Sequence, residues 1–231
     1  MKLIVCHIFL IVFYSWNIVL SANIFPLQVL QDGINFLDNS GLKQGDWKGY
    51  YSDGELKYEG NFLDNIEVGL FKYYYLTGEL KATRNFFNGS KASSVYFFYK
   101  NGSIKASGTY FDKFKDSTWH YYNFDSILVK VEIYNKGNLN GLCKNYYESG
   151  ELYIKKNWKD GKENGVFEQF YINGQINIYA EYKNGYLHGK YNSYDHNGSI
   201  ISSGFYNKGA RVGFWEYEID GKKIKVNESN K

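Results

Sequence analysis

Two kinds of residue are nearly missing from this chain. Of 231 residues only Pro26 is a proline, and cysteine occurs twice, as Cys6 and Cys143. Cys6 falls in an N-terminal apolar run, too early for the cleavage-site cysteine of a lipoprotein. That leaves Cys143 alone, so no intrachain disulfide framework can form. An excess of one charge is also lacking: 27 Lys and Arg stand against 24 Asp and Glu. Nothing in that balance points to nucleic acid. No segment after residue 33 shows a helical period with caps. What the chain has in abundance is aromatic residues, 20% of the total, including 24 Tyr. An ordinary core does not need so many tyrosines, and a periodic structure would.

The chain opens MKLIVCHIFLIVFYSWNIVLSAN. Lys2, an apolar run to Leu20 and the small residues Ser21 and Ala22 have the layout of a secretory signal peptide over residues 1–22. The competing reading is an uncleaved anchor, since Leu3 to Leu20 is near the lower length for a span. With Lys2 held inside, both readings carry residues 23 onward across the membrane. The expected location is therefore secreted, periplasmic or cell envelope. Without Lys2, 26 basic residues remain against 24 acidic ones, a net charge of about +2.

A 24-residue period runs through the rest. GDWKGYYSDGEL starts at 45, GLFKYYYLTGEL at 69, GLCKNYYESGEL at 141, GVFEQFYINGQI at 165 and GKYNSYDHNGSI at 189. Weaker copies start at 93 and 117, and a partial one at 213. With each unit numbered from zero, position 2 reads Trp47, Phe71, Val95, Trp119, Cys143, Phe167, Tyr191, Trp215. Position 5 is aromatic in all seven full units, from Tyr50 to Tyr194. Position 17 is too: Phe62, Phe86, Tyr110, Tyr134, Trp158, Tyr182, Tyr206. Position 11 is Leu or Ile throughout, as in Leu56, Leu80 and Leu152. Residues 23–44 read as a lead-in with a capping strand, 45–227 as the array and 228–231 as a frayed tail.

Each unit reads as an aromatic strand, a Gly turn, a longer strand and a second Gly turn. The glycine at position 9 follows Asp53, Thr77, Asn101, Ser149, Asn173 or Asn197, and Asn-Gly and Asp-Gly favour hairpins. Strand alternation puts positions 11, 13, 15 and 17 on one face, bringing Leu56 and Phe62 together. The other face would carry Lys57, Glu59 and Asn61. Val129, Val131 and Ile133 break this pattern and predict a fourth unit covered on both faces. The fold class expected is all-β: an elongated single-layer antiparallel meander of repeated hairpins, with 15 or 16 strands spanning roughly 70–75 Å. Stacked columns of Trp, Leu and Tyr replace a globular core.

No nucleophile–base pair, metal cluster or phosphate loop is spelled out, so no enzyme, cofactor or metal is expected. His188 occupies a turn position held by Val68, Ala92, Asp116, Asn140, Asn164 and Val212 in other units, and reads as punctuation. His120 and His196 have no acid or metal-ligand partner at a recognisable spacing. Cys143 reads as a small core hydrophobe. The sequons at Asn88, Asn101, Asn197 and Asn227 mostly coincide with turns that already require Asn-Gly. Tyr51, Tyr75, Tyr99, Tyr147 and Tyr171 fill position 6, where Asn123 and Asp195 interrupt the column. Those tyrosines are the expected contact surface, because columns 2, 11 and 17 can cover only one face.

The unit G-x-W-x-x-Y-Y-x-x-G-x-L, followed by aromatic-x-x-x-Gly as in YKNGYLHGKY (182–191), resembles the bacterial variant of the MORN repeat. The lead-in INFLDNSGLKQGDWKGYY (34–51) is also similar to the start of such proteins. Ser93, Ser117 and Ser126 depart from the pattern. The resemblance covers roughly 34–227 and implies a β-hairpin array that makes protein contacts, with no catalytic residues to carry over. It points to YwqK-type antitoxins of toxin–antitoxin systems. The function expected is a secreted, non-enzymatic scaffold with a protein partner. The rivals are an antitoxin that neutralises an exported toxin, and glycan or cell-envelope binding through aromatic columns. The case for membrane lipid is weaker, resting on Lys222, Lys223 and Lys225 alone.

Overall fold

A computed structural model describes residues 33–87 and 89–228. The expected signal peptide, the lead-in before residue 33, the sequon Asn88 and residues 229–231 lie outside the described residues. The rest is one open antiparallel sheet without helices. Its strands are β1 (Phe36–Leu37), β2 (Lys43–Tyr50), β3 (Leu56–Leu63), β4 (Ile66–Tyr74), β5 (Leu80–Phe86), β6 (Ala92–Phe98), β7 (Ile104–Phe111), β8 (Phe114–Tyr122) and β9 (Leu128–Asn135). There follow β10 (Asn138–Leu139), β11 (Gly141–Tyr146), β12 (Leu152–Lys159), β13 (Lys162–Phe170), β14 (Ile176–Lys183), β15 (Tyr186–Tyr194), β16 (Ile200–Asn207), β17 (Ala210–Ile219) and β18 (Lys222–Asn227). The meander is as the repeat implies. The count of 18 strands exceeds the expected 15 or 16 because two-residue β1 and β10 are added. β10 and β11 both pair with β9 and form one interrupted strand.

Turn chemistry follows the sequence. Asn184 and Gly185 both have positive φ, at 54° and 88°, as a two-residue hairpin turn requires. The lead-in is clipped on by side chains. The Gln44 amide donates to Asp38 Oδ2 at 2.9 Å and to Asp64 Oδ1 at 2.6 Å, joining the lead-in turn to the β3–β4 turn. Along β2, the Asn35 side chain accepts from the Lys48 amide at 2.7 Å. Phe36 and Leu37 pair with Gln44 and Lys43 as a short first strand.

Strict alternation fails inside the hairpin of every full unit. Within each hairpin position 4 pairs with 13, but 5 pairs with 11, so position 12 is skipped: Gly49 faces Tyr58 and Tyr50 faces Leu56. The same slip recurs in all seven hairpins. A bulge of this kind shifts the alternation of everything beyond it. Leu56 therefore lies opposite Tyr50 instead of continuing the row of Tyr58, Gly60 and Phe62. Lys57 moves the other way. Its ammonium lies over the Tyr51 ring at 5.6 Å, while Glu59 on the polar face meets Lys72 at 3.3 Å. The expected grouping of Lys57 with Glu59 and Asn61 is corrected accordingly.

The core is one layer of side chains on positions 2, 4, 13, 15 and 17. Phe71, Val95, Trp119 and Trp215 at position 2 are almost fully buried there, with Ala82, Ala106, Ala180 and Cys143. Val129, Val131 and Ile133 are only half-buried. The buried member of that strand is Glu132, so the fourth unit is not covered on both faces by apolar residues.

Candidate functional site

Neighbouring units are tied along both turn edges. On one edge every position 6 tyrosine donates its hydroxyl to the main-chain carbonyl of position 5 one unit on. Tyr51 reaches Tyr74 at 2.8 Å, Tyr75 reaches Phe98 at 2.8 Å and Tyr99 reaches Tyr122 at 2.9 Å. Tyr147 reaches Phe170 at 2.8 Å and Tyr171 reaches Tyr194 at 2.7 Å. Asn123 and Asp195 instead turn inward and accept amides of their own turns, from Ile127 at 2.9 Å and Ser199 at 2.8 Å. The expected contact tyrosines are thus half-buried structural rungs whose hydroxyls are taken. What they still offer is ring surface, and the Lys57, Lys81 and Lys105 ammoniums lie 5.5–5.7 Å from the rings of Tyr51, Tyr75 and Tyr99. On the other edge turn amides point back to the preceding unit. Gly161 donates to Leu139, and Gly185 to Glu163, each at 2.9 Å.

On the core face each large ring at position 2 rests on position 15 of the unit before. A β-carbon on Gly60 would lie 2.5 Å from the Phe71 ring, and on Gly108 or Gly204 2.3 Å from the rings of Trp119 or Trp215. Flat rings flank these. Trp119 stacks between Phe97 at 6.4 Å and Tyr121 at 6.2 Å, with Tyr110 edge-on at 5.1 Å. Trp47, Phe86, Phe167, Trp158 and Tyr182 fill the half-buried remainder of the layer.

Ala180 before Tyr191 and Lys156 before Phe167 keep a ring without the glycine, and two further junctions lack the ring as well. Where position 15 is Glu132, the next position 2 is Cys143. Where it is Arg84, it is Val95. Glu132 is held by Lys130 at 2.6 Å and by the Tyr134 hydroxyl at 2.7 Å. Burial pushes its carboxyl pKa up, but Lys130, Tyr121 and Tyr134 outweigh this and leave it lowered. Burial likewise raises the Cys143 thiol, which fits an inert core residue. Arg84 bonds the Ser93 hydroxyl at 2.8 Å and the Asp112 carbonyl at 3.3 Å, and its guanidinium lies over Phe86 at 4.6 Å and Tyr110 at 5.0 Å. Beside it opens a cavity of about 380 Å³ lined by Tyr51, Lys57, Tyr73, Tyr74, Lys81, Ala82, Arg84, Val95, Phe97 and Tyr110. Desolvation and Glu67 push the Tyr73 hydroxyl up to about 12, so it stays protonated at neutral pH.

The β5–β6 junction beside this cavity is the one without a register shift. Elsewhere the first residue of the unit takes positive φ and makes a bulge, as Gly69 does at 67°. Ser93 stays in regular strand geometry, 1% exposed. The two extra residues go into a longer turn around Gly89 instead. This site was missed in the sequence, where its only signal is an arginine followed eleven residues later by a small residue in an aromatic column.

The histidines form no site. His188 and His120 are half-buried on strands, and the His196 ring lies on Tyr171 at 3.8 Å. No cluster of metal-binding side chains occurs among the described residues.

Five stretches match the model of the MORN repeat variant: residues 43–64, 67–88, 139–160, 163–184 and 187–208. Together they cover a little under half of the chain, and the third and fourth units, which open on Ser93 and Ser117, fall between them. Among curated proteins none matches. Among solved structures, S. aureus TarM, as a mutant in complex with fondaparinux, alpha-GlcNAc-glycerol and UDP, is 15% identical over 49% of this chain, with a TM-score of 0.24. A second TarM structure is 17% identical over 51%, with a TM-score of 0.26. The chain spans 18% and 20% of those two.

Proposed function

We propose that this hairpin array is a non-enzymatic scaffold, acting after export, that binds another protein. Five matches to a repeat model support the scaffold. The observation that carries the binding is an apolar strip along one turn edge of the first three units. Leu63 is 49% exposed, Ile66 66%, Phe87 44%, Phe111 42% and Phe114 57%. The same positions further on are Asn135, Asn138, Lys159, Lys162, Lys183 and Asn207, with Tyr186, 60% exposed, and Ala210 the exceptions. The turn edge does not need apolar residues to fold, since the fourth and fifth units do without them. Clustered exposed apolar side chains of this kind mark protein contact surfaces. An antitoxin would be one form of such a scaffold, with an exported toxin as its partner.

The test compares wild type with an Ile66→Glu, Phe114→Glu double variant. Both are used as bait, cross-linked in the native envelope fraction and analysed by mass spectrometry. One defined partner captured by wild type and lost by the double variant, at equal melting temperature, is the expected result. Retention of glycan in place of protein, or capture indifferent to the strip, refutes this reading. Sequencing the N-terminus of the native protein checks export, with cleavage expected after Ser21 or Ala22.

A further inference from the structure

The cavity beside Arg84 is an empty copy of a place that another unit fills. Around Trp119, Gly108 lies beneath the ring, Phe97 and Tyr121 lie on its two sides, and Ala106 pairs across the strands with both of these. One unit earlier the same positions are Arg84, Ala82, Tyr73 and Phe97, and Val95 stands where Trp119 does. The walls for a flat ring are kept and the ring is missing. The volume of about 380 Å³ suits a group of that size.

The charged side chains that line it are of one sign, with Glu67 standing 3.5 Å from the hydroxyl of the wall residue Tyr73. Lys57, Lys81 and Arg84 line the cavity, and no carboxylate does. Among the described residues none of the three has an acidic partner within ion-pair distance, whereas Lys48, Lys72, Lys130, Lys155, Lys156 and Lys225 all do. Arg84 spends two donors on Ser93 and the Asp112 carbonyl and offers five in all. A guanidinium held on two aromatic faces keeps its position for a bidentate carboxylate.

Resting on the protein-binding reading above, we propose that this cavity takes an aromatic side chain from an acidic segment of the partner protein. The ring enters between Tyr73 and Phe97 over Ala82, as Trp119 lies between Phe97 and Tyr121. Flanking carboxylates meet Arg84, Lys81 and Lys57. A buried aromatic anchor with desolvated charge pairs is the usual composition of a dominant contact in a protein interface. A sugar could also stack here. An aromatic side chain is favoured because the sheet itself fills the equivalent place with one.

The experiment titrates the full chain with a synthetic heptapeptide carrying a central Trp between Asp and Glu residues, read by calorimetry. Controls replace the Trp by Ala, or the acids by Lys. Binding by the acidic Trp peptide is expected, with at least a tenfold loss for either control. Val95→Trp, which puts the missing ring in place, should abolish binding. If that variant folds poorly, Lys81→Glu at an exposed site should still weaken binding severalfold at an unchanged melting temperature. Equal binding of the Lys-flanked peptide, or indifference to both variants, overturns the proposal. So does an acidic oligosaccharide, such as oligogalacturonate, that binds in the peptide's place and is lost in Val95→Trp. Should the peptide fail to bind while capture still depends on Ile66 and Phe114, the scaffold reading stands and only the cavity assignment falls.

Discussion

Arg84 and Glu132 hold the same place in the second and fourth units, each followed by a small residue, Val95 or Cys143, where the other junctions carry an aromatic ring. Their surroundings differ. Glu132 is closed off, 7% exposed, with an ammonium and two tyrosine hydroxyls around it. Arg84 faces a cavity with two more cations and no carboxylate. A charge in a single-layer core is tolerated in both cases, but only the anion has its counter-charge inside the sheet. The difference separates a junction that is complete from one that has capacity left for something outside.

The largest effects should come from breaking the filled junctions against which these two are measured. Trp119→Ala removes a ring 1% exposed and should cost about 3–5 kcal/mol, read by denaturant melts. Val95→Trp alone should destabilise, because Arg84 occupies the floor. With Arg84→Gly added the ring gains its glycine seat, and the double-mutant cycle should show strong favourable coupling. Additive effects would mean that the two positions do not form one site.

Next comes the closed charge. Glu132→Ala strands Lys130 and two hydroxyls and should cost about 2–3 kcal/mol, since the site is buried but edged by a partly exposed lysine. Arg84→Leu should cost about 1–2 kcal/mol, less than Glu132→Ala, because it leaves the buried Ser93 hydroxyl without its partner but no charge behind. The carboxyl of Glu132 is lowered in the folded state relative to about 4.3 unfolded. Its contribution is therefore whole above that value and is lost as pH falls through the lowered one. Melting temperatures of Glu132→Gln should accordingly depend less on pH in the acid range than those of wild type, while Arg84→Leu should track wild type.

Smaller effects belong to the edges. Tyr75→Phe removes one rung and should cost about 1 kcal/mol, and Asn123→Tyr should add a rung to the carbonyl of Tyr146 with a gain of similar size. His188→Ala should stay within about 0.5 kcal/mol. A loss of binding from His188→Ala at unchanged stability would show that this strand position does more than hold the sheet.

Period, strand order and the turns were legible in the sequence because each depends on local residues that recur eight times. The slip at position 12 was not. Positions 11, 13, 15 and 17 are compatible with unbroken alternation, and the slip is made by the turn, where the Tyr51 amide bonds Glu55 O and the Gly54 amide bonds Tyr51 O. The tyrosine column was seen but its role was not, because the carbonyl each hydroxyl meets lies 23 residues away. The pairing of position 15 with the next position 2 could have been noticed in Gly60 with Phe71, Ala180 with Tyr191 and Gly204 with Trp215. It becomes meaningful only once the two are known to stack. Lys156 before Phe167 breaks that rule, and its ammonium is drawn to Glu163 at 2.9 Å instead.

The rungs on both edges join one unit to the next, so they run across the strands and along the length of the sheet. A pull on the two ends would load them in tension, one junction after another. Such a molecule would give way in steps, each releasing 24 residues, roughly 80 Å of extended chain. The first to part should be the seams behind Asn123 and Asp195, where the tyrosine rung is missing. Stretched between two anchored partners, the array would act as a graded force fuse, its breaking order written in which units carry tyrosine at position 6.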